Sequence, residues 1–279
     1  MKYIAFSLLL LVSVFSLMGQ NLKPWKIKLE PGQNMKIINS TSNNISQQMM
    51  GQDMQMNMAT ELTDSFFVKA KTENGFQVVK ITKRIKMNMD IMGQQKEMDS
   101  DKKEDMESEG SSAIKDRIGV LSEAVVSSAG QIKMISKAEE KVNTPMGSFM
   151  SLNGDSAVIA GCFLNSPQKT LKPGENWSEI MGDSTYKEET VYSFIKIESG
   201  FALLSFESKK TITGTQEMNT VEVKSNMLIT SKGTLKVELA TGLVIERLTD
   251  NVFSGSNEAM GMEIPLTGTG TSKIIITKL

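Results

Sequence analysis

Val79-Lys80-Ile81-Thr82-Lys83-Arg84-Ile85-Lys86-Met87-Asn88-Met89-Asp90-Ile91 alternates apolar and polar side chains, with Lys83 the one break on the apolar side. A period of two specifies a β-strand with one buried and one wet face. The 3.6-residue period of a helix would scatter these apolar groups around its circumference. Just upstream, Asn74-Gly75 is a two-residue hairpin signal, because both central residues of a type I′ turn need positive φ. Folding the chain there sets Ala70 opposite Val79, Val68 opposite Ile81, Leu62 opposite Met87 and Met58 opposite Ile91. Met54, Met56, Met58, Leu62, Phe66 and Val68 then share a face with the odd apolar set. A slip of one residue would set them against polar partners.

The same logic extends down the chain. A turn at Ser199-Gly200 pairs Ile197 with Ala202, Ile195 with Leu204 and Ser193 with Phe206. A turn at Lys232-Gly233 pairs Leu228 with Val237 and Thr230 with Leu235. Thr241-Gly242 precedes a strand over 243–248 whose register needs a bulge, and 271–277 reads as a final strand. Short helices are expected near 111–117 and 156–164. Regular turn signals between alternating runs indicate an antiparallel, mainly β protein.

Three echoes recur in the same order. Pro31-Gly32-Gln33-Asn34-Met35 resembles Pro173-Gly174-Glu175-Asn176-Trp177, and Glu73-Asn74-Gly75-Phe76 resembles Glu198-Ser199-Gly200-Phe201. Ser128-Ala129-Gly130-Gln131-Ile132-Lys133 resembles Ser231-Lys232-Gly233-Thr234-Leu235-Lys236. The ordered set indicates a tandem duplication. The expected organisation is a leader at 1–19, a first β-rich repeat at 20–141, a connection at 142–170 and a second repeat at 171–279. The two meander units can join as one curved, open half-barrel, an architecture resembling that of periplasmic lipoprotein carriers.

Lys2 followed by the apolar run 4–17 and small Gly19 has the form of a cleavable secretory signal. The run is shorter than the about 20 residues of a bilayer-spanning helix, and nothing later in the chain is long and apolar enough for one. A periplasmic or secreted product is expected.

Composition then removes whole classes of chemistry. The 279 residues are 39% hydrophobic, 23% charged and 6% aromatic, with net charge −1, no histidine and one cysteine. That excludes Ser-His-Asp and Cys-His nucleophiles, His-ligated zinc and any intramolecular disulfide. Near-zero charge gives no electrostatic reason to bind nucleic acid. Cys162 lies in an apolar stretch and reads as a buried, inert thiol. Ser-x-x-Lys recurs, with matches at Ser100, Ser112, Ser166 and Ser193 among others, but serine and lysine frequencies alone produce such matches. No cofactor motif and no distinctive catalytic constellation stands out, so a non-enzymatic role is expected.

Asp99 and Asp101 open like a calcium loop, yet Lys103 takes the third ligand position and the required glycine is missing. The charge-dense stretch 99–109 reads as a solvated connection. Trp25 and Trp177, each beside a Pro-Gly element, read as domain-edge packing.

Methionine is the outlier, at 21 residues. Met54, Met56, Met58 and Leu62 on one strand and Met87, Met89 and Ile91 on its partner form the candidate ligand-binding face. Thioethers are flexible and polarisable, which suits varied apolar partners. The working expectation is a lipid-like or other hydrophobic small molecule on that face. Two alternatives stand beside it: a structural or protein-interaction module of the envelope, with the stripe closed inside a core, and Cu(I) held by the thioethers.

The segment Ile85-Lys86-Met87-Asn88-Met89-Asp90-Ile91-Met92-Gly93-Gln94-Gln95-Lys96-Glu97-Met98-Asp99-Ser100-Asp101 resembles the signature of secreted bacterial proteins grouped as domain of unknown function 6263. Lys28-Leu29-Glu30-Pro31-Gly32-Gln33 and the run from Gly233 to Gly242 are similar to it too. The resemblance implies a β-rich secreted protein. It brings no activity and no site residue.

Overall fold

The computed structural model describes residues 20–49, 52–108, 111–136, 155–182, 186–218, 221–259 and 261–279. The leader at 1–19 and the first part of the 142–170 connection lie outside the described residues. One antiparallel sheet dominates. Its strands are β1 (Asn34–Met49), β2 (Gln52–Thr72), β3 (Gly75–Ile91), β4 (Gln94–Asp99), β5 (Leu121–Val126), β6 (Ile132–Ser136), β7 (Asn176–Gly182), β8 (Tyr186–Glu198), β9 (Phe201–Met218), β10 (Val221–Glu238), β11 (Leu243–Ala259) and β12 (Met262–Lys278). Among the described residues, short helices accompany them: α1 (Lys103–Glu107), α2 (Ser112–Lys115) and α3 (Asp155–Gly161).

The strands run β6-β5-β3-β2-β1-β12-β11-β10-β9-β8-β7, with β4 also paired to β3. Two meanders thus join where β1 pairs with β12, from Met35 opposite Lys278 to Gln47 opposite Leu266. The sheet curves because one cluster gathers inward side chains from β5 at one side to β8 at the other. Val126, Val78, Phe66, Ile37, Ile276, Val237, Leu204 and Phe194 all belong to it. Among the described residues no ladder joins β6 to β7, so the half-barrel stays open.

Its floor is built from irregular chain. Leu22 bridges Leu171, Ile27 N–H donates to Ser128 O, Lys28 N–H to Thr241 O and Ser166 N–H to Ala129 O. These bonds satisfy backbone groups that would otherwise be buried without partners. Val158, Ile159, Cys162 and Phe163, on and just after α3, plug the centre of the same cluster.

Three register expectations are corrected. The β2–β3 turn is Glu73-Asn74, not Asn74-Gly75, so Met58 faces Met89 and Leu62 faces Ile85, two residues from the expected pairs. Gly75 serves a different purpose: its φ is +141°, and a Cβ there would lie 2.0 Å from the Val126 carbonyl oxygen on β5. The ladder also shifts twice, between Thr63 and Asp64 and between Val68 and Ala70. Between those bulges β3 turns Val78, Lys80 and Thr82 inward, while Val79 and Ile81 take the outer face.

In the second meander the Ser199-Gly200 turn forms as expected, both residues having positive φ. Ile197 faces Ala202, but a bulge at Ile195 brings Phe194 opposite Leu204 and Tyr192 opposite Phe206. The expected Lys232-Gly233 turn does not form. β10 continues through it, and a Cβ on Gly233 would lie 1.9 Å from Leu248 O and 2.8 Å from the Phe206 ring. The glycine is there for close approach, not for turning. The bulge needed before 243–248 lies between Lys236 and Val237.

Candidate functional site

Register places the inward residues of β1 and β7–β12 in straight rows across the trough. The lowest row holds Ile274, Arg247, Leu235, Leu204 and Phe194. Above it run Thr41, Ser272, Thr249, Gly233, Phe206, Tyr192 and Trp177. The third row is a polar belt: Asn43, Gly270, Asn251, Ser231, Ser208, Thr190 and Glu179. The fourth returns to apolar groups at Ile45, Phe253, Ile229 and Met181, with Lys210 and Glu188 between them. These rows enclose a cavity of about 660 Å³, which reaches Phe163, Leu164 and Asn165 below and Ile132 and Met134 of β6 at the far side. That size falls in the range of about 300–1,000 Å³ usual for small-molecule sites.

The Met-rich stripe lies on this same inner surface. Asn43 of the third row faces Met58, which faces Met89, and Ile45 of the fourth faces Met56, which faces Ile91. All seven expected residues therefore share one face. What differs is the cover. Met58, Leu62, Met87 and Met89 are buried in a cluster with Met98 of β4 and Ile114 of α2, against which Met106 and Ile118 pack. Met54, Met56 and Ile91 are half-buried. The insertion β4–α1–α2 fills the trough above the first meander. None of the seven residues lines the cavity, which lies beside them over the second meander.

An aromatic ladder runs along the second row. Trp25 meets Trp177 edge-on at 6.2 Å, Trp177 stacks on Tyr192 at 5.1 Å and Tyr192 tilts against Phe206 at 6.3 Å. The Arg247 guanidinium caps it 4.4 Å over the Phe206 ring, a cation–π contact. The two Pro-Gly elements thus meet through their tryptophans.

Charge on the wall is arranged unevenly. Lys210 Nζ lies 4.0 Å from Glu188 Oε2 and 4.8 Å over the Tyr186 ring. Burial pushes the Glu179 carboxyl up from 4.5 to about 7, against the opposing influence of Asn165 and Trp177. Burial likewise raises the Tyr192 hydroxyl, with Arg247 opposing it. Glu179, Asn165 and Thr249 line the cavity, and their Oε1, Oδ1 and Oγ1 atoms are buried without a hydrogen-bond partner. Buried polar atoms in native proteins are normally paired, so this cluster marks the wall as the polar part of a site.

Cys162 is buried and free, its thiol donating to Val158 O at 3.1 Å, and burial raises it far above the ordinary thiol range. A thiol held protonated is no nucleophile. Among the described residues no group of three or more Asp, Glu or Cys is placed to hold a metal ion, and no helix is long and apolar enough to cross a membrane.

Sequence reasoning found the stripe and missed the cavity wall. Its belt residues Asn43, Asn251, Ser231 and Ser208 lie on strands whose outer face is polar too, so alternation carries no contrast there. The alternating aromatic and small residues around Tyr192 and Phe206 were the available signal.

No protein-family model and no curated protein matches the chain. Among solved structures, lipovitellin superposes with a TM-score of 0.52 and 10% identity over 90% of this chain and 25% of its own, so the chain spans a quarter of that length. An outer membrane channel from Pseudomonas putida F1 aligns over 90% of this chain and 97% of its own at 6% identity, with a TM-score of 0.25. OccK7 from Pseudomonas aeruginosa aligns over 89% and 100% at 6% identity, also at 0.25.

Proposed function

We propose that this protein is a non-enzymatic periplasmic or secreted carrier that holds a lipid-like or other hydrophobic small molecule in the trough of its curved sheet. The observation that carries this reading is the uncovered cavity over the second meander, with Ile45, Phe253, Ile229, Met227 and Leu266 on its wall. These apolar groups share the wall with the polar belt of Asn43, Asn251, Ser231 and Ser208, and small-molecule sites combine apolar surface with placed polar groups. A second support is the shared fold with lipovitellin, whose structure is described in terms of lipid–protein interactions. The extracytoplasmic address rests on the leader pattern at 1–19.

The interaction-module reading requires the apolar stripe to be closed, and over the first meander it is. The open second meander favours the carrier. Native mass spectrometry after gentle purification tests this: an amphiphile mass riding on the folded protein is expected. Repeated absence of any adduct, together with no uptake of an apolar dye, overturns the carrier reading.

A further inference from the structure

We propose that Arg247 and Thr249 form a subsite for the anionic head of a single-chain amphiphile, with a carboxylate or phosphate as the bound group. This deepens the carrier reading and rests on it. The two residues are consecutive inward positions of β11, and both line the cavity. Thr249 is 8% exposed, and its hydroxyl oxygen has no hydrogen-bond partner. A hydroxyl buried in that state loses its water without replacement, unless a ligand supplies the bond.

Arg247 offers the charge. A guanidinium carries five N–H donors in a planar fork that matches a carboxylate or phosphate. Its flat face rests on Phe206, which holds the plane but accepts few of those donors. Among the described ion pairs none joins Arg247 to a carboxylate within 4.0 Å. The cavity's other cation, Lys210, already faces Glu188. Glu179 is held largely neutral below about pH 7. Below about pH 7 the described wall residues therefore present one more positive than negative charge, deep in the trough, where an anion is drawn and weakly screened.

The apolar groups complete the shape. Ile45, Phe253 and Leu266 form a buried cluster with Met227 and Ile229 packed against it, three to four rows beyond Arg247 toward the distal strand ends, across the polar belt. A head seated at Arg247 leaves its chain lying along that cluster.

The test is displacement of 1-N-phenylnaphthylamine from the full-length protein by three ligands: oleate, oleoyl lysophosphatidate and uncharged oleyl alcohol. Both anionic ligands are expected to displace the dye at concentrations at least about tenfold below the alcohol, the worth of one charge-assisted hydrogen-bonded contact. Arg247→Met should abolish that advantage, read as the ratio of anion to alcohol displacement constants within each variant so that any change in dye affinity cancels. Thr249→Val, which leaves the cation in place, should reduce it several-fold. Whichever of the two anions wins identifies the head. Equal displacement by the alcohol in the wild type, or an advantage unchanged in both variants, overturns the subsite alone. Absence of any dye binding overturns the carrier reading and the subsite with it.

Discussion

Lys80 Nζ lies 3.0 Å from Asp64 Oδ1, with the two side chains 1% and 0% exposed, inside the stretch where β3 reverses which of its residues point inward. Lys80 also bonds Thr82 Oγ1 at 2.9 Å. A lysine on the polar phase of the strand is thereby turned into the core, and the bulge at Lys83 restores the Met-rich phase above it.

Breaking that pair should be costly, and removing it whole should not. Lys80→Met leaves Asp64 buried and uncompensated and is expected to lower unfolding stability by about 3–5 kcal/mol. Lys80→Met combined with Asp64→Leu should recover most of that loss. Urea denaturation of the single and double variants checks this, and a double variant as unstable as the single one would contradict it.

Gly233 sits mid-strand against a neighbouring carbonyl. Gly233→Ala forces its Cβ against Leu248 O and the Phe206 ring, and is expected to cost about 1–3 kcal/mol. A turn glycine of ordinary φ would show almost no loss on the same substitution. Thermal unfolding of the variant separates the two.

Glu179 makes stability depend on pH. Its folded carboxyl titrates near 7, above its ordinary 4.5, so the fold favours the protonated form. The associated stability is complete below about pH 4.5 and is lost as pH rises through about 7. Melting temperature should therefore fall between pH 5 and 8 from this group, and Glu179→Gln should flatten that part of the profile. A variant with the wild-type slope would show that Glu179 is not its source.

Cys162 should ignore a thiol reagent in the native protein and react fully in denaturant, given its burial and raised thiol. Rapid native labelling with a chromogenic disulfide reagent would show that the plug around α3 opens.

Met87, 1% exposed beneath the helical cap, has a packing role on this account. Met87→Ala should cost about 2–5 kcal/mol and Met87→Leu less than about 1.5. Neither should change dye affinity, since the cavity lies elsewhere. A dye affinity that tracked Met87 would return the site to the stripe.

The fold was largely legible because its strands alternate strongly where they are covered on one face only. Met58, Leu62, Met87 and Met89 announce a common surface, and Ser199-Gly200 announces its turn. Legibility failed at four physical points. Gly75 and Gly233 serve close backbone approach, which looks like a turn when only the chain is read. Bulges beside Lys83 and at Ile195 change the phase of a strand without any marker residue. Row residues such as Ser208, Ser231 and Asn251 face a polar cavity, so nothing distinguishes them from residues facing water. Which part of the shared face is covered depends on β4–α1–α2 folding back across β3, and local pattern does not encode that.

The claim that the interior of the second meander is the ligand site is tested most directly by titrating 1-N-phenylnaphthylamine into the wild type, Ile229→Trp and Met56→Trp. Ile229 lines the cavity, whereas Met56 lies on the same row beyond it. Saturable one-site binding is expected in the wild type, weakened at least about tenfold when the indole fills the cavity and unchanged in Met56→Trp. Equal binding by Ile229→Trp, or loss confined to Met56→Trp, would contradict it.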